Sequence, residues 1–239
     1  MRLLPGTLLT CVLTAVATLT TAEPANPGLG DVIAVNVLLQ PDQEVSARAA
    51  RINGVLRRSY PGGFALDSSH LPHISVLHGY VQAKDVADFY VAVEKVSAKH
   101  PLAGQQLTML GLEHKPWNRA EITNIKVEKT RELEDFQADL VSAVSPYLVA
   151  TGDGSAFLTS KEDPSVDLET IEYVRTFVQK HTGSGFEPHI TVGISDAETA
   201  RRVSAEQGVP PKLTIASVAV FQLGNVGTAR KELWRYSPR

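Results

Sequence analysis

The sequence predicts an α+β fold, on three observations. Strand-like and helix-like segments are mixed along the chain with short connections, which argues against a doubly wound parallel sheet. Two segments, Pro72-His73-Ile74-Ser75-Val76 and Pro188-His189-Ile190-Thr191-Val192, nearly repeat each other 116 positions apart. The composition, 43% hydrophobic and 21% charged over 239 residues, suits one large domain or two closely packed small ones. It argues against disorder and against a polytopic membrane protein. A net charge of −3 speaks against gripping long nucleic acid by electrostatics alone, which needs a concentrated basic surface.

Residues 1–22 read as a cleaved secretory signal. Met1-Arg2 carries a positive charge, 3–21 hold no charged residue, and Thr20-Thr21-Ala22 offers small residues before Glu23. Thr7, Thr10, Thr14 and Thr18 dilute the apolar run, a poor match to the ~20 apolar residues that span a bilayer. An uncleaved anchor is the alternative. The only cysteine, Cys11, lies in this segment, so the processed chain has no disulfide, thiol nucleophile or cysteine-held metal. The expected location is secreted or periplasmic, without stable membrane association after cleavage. The Pro/Gly-rich segment 23–30 is a flexible leader, and 31–239 is the folded part.

Val32 to Leu39 is an apolar run of strand length. Asp42 to Arg58 places Val45, Ala49, Ile52 and Leu56 at helical spacing behind an Asp42 N-cap. Pro61-Gly62-Gly63 makes Tyr60 to Asp67 a loop. Leu71 to Leu77 is a short strand, Lys84 to Lys99 an amphipathic helix, and Gln106 to Glu113 with Ala120 to Val127 a strand pair closing a first half. The second half runs through helices at Arg131 to Leu148 and Asp167 to His181, a strand at Pro188 to Ile194, and a helix at Asp196 to Gln207. Strands at Leu213 to Leu223 and Glu232 to Tyr236 end it.

In each repeated segment proline biases the chain towards extended structure, and β-branched apolar residues alternate with polar ones. Period two then puts His73 and Ser75 on one face with Ile74 and Val76 on the other, and treats His189, Thr191, Ile190 and Val192 likewise. A lone histidine on a strand is usually a structural residue. Two copies with the same proline and alternation point to function.

Two histidines suggest a metal site, but catalytic metals want at least three protein ligands, and each histidine here is accompanied by a hydroxyl. Glu187 flanks only one copy and is expected on the opposite face. A serine hydrolase needs one activated serine with an asymmetric base and orienter. Two imidazoles with two hydroxyls suit a phosphoryl group. One imidazole accepts a proton from the attacking oxygen, the other gives one to the leaving oxygen, and the hydroxyls hold the non-bridging oxygens.

On His73-Ile74-Ser75-Val76 and His189-Ile190-Thr191-Val192, the chain resembles the two-histidine (2H) phosphoesterases, which include 2′-5′ RNA ligase-like proteins and cyclic nucleotide phosphodiesterases. The resemblance spans about Asp31 to Arg239. It includes a closing strand pair around Gly224-Asn225-Val226-Gly227. Departures are Ser75, where threonine is commoner, and His78-Gly79, where many members carry an aromatic and one further residue.

The resemblance implies two pseudo-symmetric lobes, each a small antiparallel sheet with helices on its outer face, around a central cleft. It implies a phosphoric diester hydrolase without cofactor, with His73 and His189 catalytic and Ser75 and Thr191 phosphate-binding. The expected substrate is a small phosphoester or nucleotide, foremost a 2′,3′-cyclic phosphate, with RNA ends as a further candidate, and the expected state is a monomer. His189 is taken as the base and His73 as the acid. RNA ligation and a non-catalytic nucleotide-binding module are the alternatives. Tyr80, Trp117 and Phe186 are candidates for base stacking. His70 and His78 are read as incidental surface histidines, and His100, His114 and His181 as solvated.

Overall fold

A strand apolar on both faces needs cover on both sides, and β1 (Val32–Pro41), interrupted within its apolar run only by Asn36, has it. It lies between β2 (Ile74–Gln82) and β7 (Lys212–Leu223), with Ile33 to Val35 and Val37 to Leu39 wholly buried. The structure, a computed structural model, describes residues 31–161 and 163–237. The signal and leader segments, 1–22 and 23–30, lie outside the described residues.

The remaining strands are β3 (Gln106–Trp117), β4 (Ala120–Val127), β5 (Leu148–Val149), β6 (His189–Ser195) and β8 (Ala229–Arg235). The helices are α1 (Gln43–Ser59), α2 (Val86–Lys99), α3 (Arg131–Val144), α4 (Leu168–Lys180) and α5 (Ala197–Glu206). The Asp42 side chain caps its helix as predicted, accepting from Val45 N–H at 3.0 Å, and Asp196 likewise accepts from Thr199 N–H at 2.7 Å. The third helix stops at Val144, because Pro146 cannot continue the ladder.

All strand pairings are antiparallel among the described residues. This is the α+β fold that the sequence predicts, with pairings in two groups. One runs β5, β2, β1, β7, β8; the other runs β6, β4, β3 and ends on the first residues of β7. Helices α1 and α5 pack on the second group, while α2, α3 and α4 pack on or beside β2.

The lobes are not the two halves of the sequence. The β3–β4 hairpin, expected to close the first half, pairs with β6 from the second, and β7 and β8 complete the sheet of β1 and β2. Pairing partners are chosen by tertiary packing, which local periodicity does not encode.

The lobes also meet directly. Strands β2 and β6 pair at one position, Ile74 opposite Ile190. These are the residues immediately following His73 and His189, so a pseudo-two-fold passes between the repeated segments.

Candidate active site

Both segments alternate as expected, with His73, Ser75, His189 and Thr191 partly exposed and Ile74, Val76, Ile190 and Val192 wholly buried. Both then break the alternation at the same place. Leu38 and Val37 pair with Ser75 and Leu77, and Asn124 and Thr123 pair with Thr191 and Gly193, leaving Val76 and Val192 as bulged residues. Each bulged carbonyl accepts a buried side-chain amide from a helix. Gln137 of α3 donates to Val76 O at 2.9 Å, and Asn53 of α1 donates to Val192 O at 3.0 Å. Gly193 follows with φ of 152°, and a Cβ there would crowd Asn53 Nδ2 at 3.0 Å.

The two histidines are held identically. His73 Nδ1 lies 2.7 Å from Leu71 O, and His189 Nδ1 lies 2.7 Å from Glu187 O. In both, Nδ1–H donates to the carbonyl two residues back, across the intervening proline. That contact fixes the tautomer and leaves Nε2 with its lone pair. Both rings line one cavity of about 250 Å³, together with Ser75 and Thr191.

Burial pushes the His73 imidazole down to about 4, and the His189 ring opposite it adds to the effect. Burial also lowers His189, with Lys115 contributing, while the carboxylates of Glu113 and Glu187 pull the other way. Lys115 bridges those carboxylates at 3.1 Å and 2.9 Å. Glu187 therefore borders the cavity instead of facing away, being two positions from His189 and so on the same side.

The aromatic candidates separate. Trp117, at the end of β3, lines the cavity and is partly exposed. Phe186 borders it but is 3% exposed and belongs to the core. Tyr80 does not line it. Strand β2 continues past Leu77, so Tyr80 is a buried strand residue whose hydroxyl donates to Ile171 O at 3.0 Å and whose ring packs edge-on against Phe157.

Sequence reasoning missed other residues of the cavity wall. His78 is not a surface histidine: it is 2% exposed, because the bulge at Val76 swings it to the side of Ser75. Its ring stacks on Phe177 with centroids 4.7 Å apart, and Nε2 lies 2.9 Å from Ser75 Oγ. His181, expected to be solvated, also lines the cavity and rests on Tyr173. His70 borders the mouth and is held by Arg230. His100 pairs with Asp139 at 2.6 Å and His114 with Glu121 at 3.2 Å, neither on the cavity. Among the described residues, no cluster of three or more His, Cys, Asp or Glu could hold a metal ion.

No protein-family model and no curated protein matches the chain. Solved structures similar to it include TT0787 of Thermus thermophilus, at 16% identity and TM-score 0.48, covering 86% of this chain and 97% of that one. Escherichia coli LigT complexed with 3′-AMP is 14% identical at TM-score 0.45, covering 87% of this chain and all of the other. Kluyveromyces marxianus Usb1 is 10% identical at TM-score 0.39, with 85% and 98% covered. At this distance none of the three fixes a role for any residue of this chain.

Proposed function

We propose that the chain is a two-histidine phosphoesterase that hydrolyses a small phosphodiester, foremost a 2′,3′-cyclic phosphate. The observation supporting this is the matched pair of Nδ1 contacts, both 2.7 Å, which leave two Nε2 atoms available to one cavity. Such a pair can take a proton at one end of a phosphoryl transfer and return one at the other.

Water attacks phosphorus and gives its proton to one Nε2. The bond to the ribose oxygen breaks, and that oxygen takes a proton from the other ring. Ser75 and Thr191 hydroxyls bind the non-bridging oxygens as charge builds. The environments favour His73 as base and His189 as acid, reversing the sequence expectation. Burial holds His73 down to about 4; burial and Lys115 lower His189 as well, but there the carboxylates of Glu113 and Glu187 oppose them, so His189 is the ring that more readily keeps a proton. An anionic substrate between the rings raises both pKa values and helps charge the acid.

His73→Ala and His189→Ala test this. Each proton-transfer role contributes ~10²–10⁴ in rate, so each variant should fall below about one hundredth of wild-type turnover while melting as a folded protein. Retention of more than about a tenth by either sinks the mechanism. A cyclic nucleotide bound with unchanged affinity but recovered intact would favour the binding-module alternative. Export belongs to the same proposal: N-terminal sequencing of the processed protein should begin at Glu23.

A further inference from the structure

We infer that His78 is a positioning residue that makes the Ser75 hydroxyl a hydrogen-bond donor to the substrate's phosphoryl oxygen. This rests on the phosphoesterase reading and assigns a residue outside the repeated segments. The ring is fixed: it is 2% exposed, stacked on Phe177 at 4.7 Å with planes 9° apart, and met edge-on by Tyr173 at 5.4 Å. Among the described residues, only one of its nitrogens has a partner. Nε2 lies 2.9 Å from Ser75 Oγ, while Nδ1 is buried without one.

A second group reaches the same oxygen. Buried Asn36 of β1 donates through Nδ2 to Ser75 Oγ at 3.0 Å. A serine hydroxyl has two lone pairs and one proton. If the imidazole proton is on Nε2, Oγ accepts from both His78 and Asn36, and its own proton is left to point into the cavity. If the proton is on Nδ1, Ser75 spends its hydrogen on Nε2 and turns a lone pair towards an anionic oxygen.

The second arrangement also leaves a buried N–H with nothing to donate to, and orphaned buried N–H groups are the rarer defect. A charged ring would carry the same orphan, and burial above all, with His73, His181 and His189 nearby, disfavours charge there. The neutral Nε2–H form is therefore the one the packing selects. The other copy lacks the device, since Ile194 stands three positions after Thr191. Asymmetry of this kind gives one of the two hydroxyls a fixed donor direction.

The test uses the full chain with His78→Phe, His78→Gln, Ser75→Ala and the Ser75→Ala/His78→Phe double variant, assayed on 2′,3′-cyclic AMP. Phenylalanine keeps the stack on Phe177 and removes the donor. Removing one oxyanion donor costs ~10²–10³ in kcat, so Ser75→Ala should lose about that much. His78→Phe should lose at least about tenfold in kcat with little change in KM, His78→Gln should recover most of it, and the double variant should match Ser75→Ala alone. Nitrogen-15 NMR of the wild-type ring should place the proton on Nε2.

Multiplying losses in the double variant, or a proton on Nδ1, would overturn the assignment even if His78→Phe fails to fold. If the wild type turns over no phosphodiester, the phosphoesterase reading fails separately. Inorganic phosphate then serves as probe: weaker binding by His78→Phe sustains the role of His78, and unchanged binding refutes it.

Discussion

Gln137→Met should destabilise the protein by removing hydrogen bonds while leaving shape nearly intact. Gln137 is 1% exposed, and its amide donates to Val76 O at 2.9 Å and His181 O at 3.2 Å while its carbonyl accepts from Gly183 N–H at 3.1 Å. Methionine fills similar volume, so packing loss is small. The cost comes from the stranded partners. Val76 is wholly buried at the bulge, so its carbonyl carries the full penalty of an unsatisfied group, ~1–3 kcal/mol. His181 and Gly183 lie nearer solvent and recover part of theirs from water.

The sum is about 2–4 kcal/mol, which for a domain of this size lowers Tm by roughly 5–15 °C in calorimetry. A shift under about 2 °C would refute the clamp, since one stranded buried carbonyl alone exceeds it. Gln137→Glu supplies a check on direction. Facing two carbonyls in a buried site, the new carboxyl has a raised folded pKa. Its deficit should therefore be smallest at low pH and grow as pH rises through that value.

The pH dependence of kcat/KM should be displaced to the acid side of a bell centred on ~6.5, the ordinary histidine value. The base, His73, is held down to about 4, so its limb should appear only as pH falls towards 4; the acid, His189, is also lowered, so the alkaline limb should begin below the ordinary value. A profile rising steadily from about pH 5 to 10 would indicate hydroxide attack instead. Trp117→Ala should raise KM for nucleotide substrates by roughly 5- to 150-fold, the worth of one base stack. Tyr80→Phe should leave KM unchanged and cost only a hydrogen bond's ~0.5–1.5 kcal/mol in stability. Dialysis against a strong chelator should leave turnover intact, because two imidazoles and two hydroxyls fall short of a catalytic metal's donor set. Loss on chelation with recovery on adding zinc would make His73 and His189 ligands.

The alternation of His73 and Ser75 against Ile74 and Val76 was legible because a strand's period is a local property. What lay beyond the bulge was not. Period two carried past Val76 would turn Leu77 towards the cavity and hide His78, whereas the extra residue does the reverse. Tyr80 was misplaced for a related reason, since β2 runs on to Gln82 under a cover supplied by Phe157. The clamping amides did leave a trace. Ala49, Asn53 and Leu56, and equally Leu133, Gln137 and Leu140, share one helical spacing, so each amide interrupts an apolar stripe. An uncharged polar residue at such a position has to find buried backbone partners. Which partners these are, and which strands the β3–β4 hairpin joins, depend on contacts distant in sequence.

The exchange of strands between the lobes bears on the order in which the molecule can be made. A ribosome releasing this chain emits β1 and β2 early, yet β1 keeps one edge open until β7 follows. The β3–β4 hairpin waits in the same way for β6. A nascent chain halted before residue 189 thus holds two partly built sheets with bare edges, the state most exposed to mispairing. High sequence separation of the pairings also slows closure, because loop entropy is lost before the contacts form. His73, made first, gains its opposite number only when nearly four-fifths of the chain has been synthesised, so no early fragment can carry both proton-transfer groups.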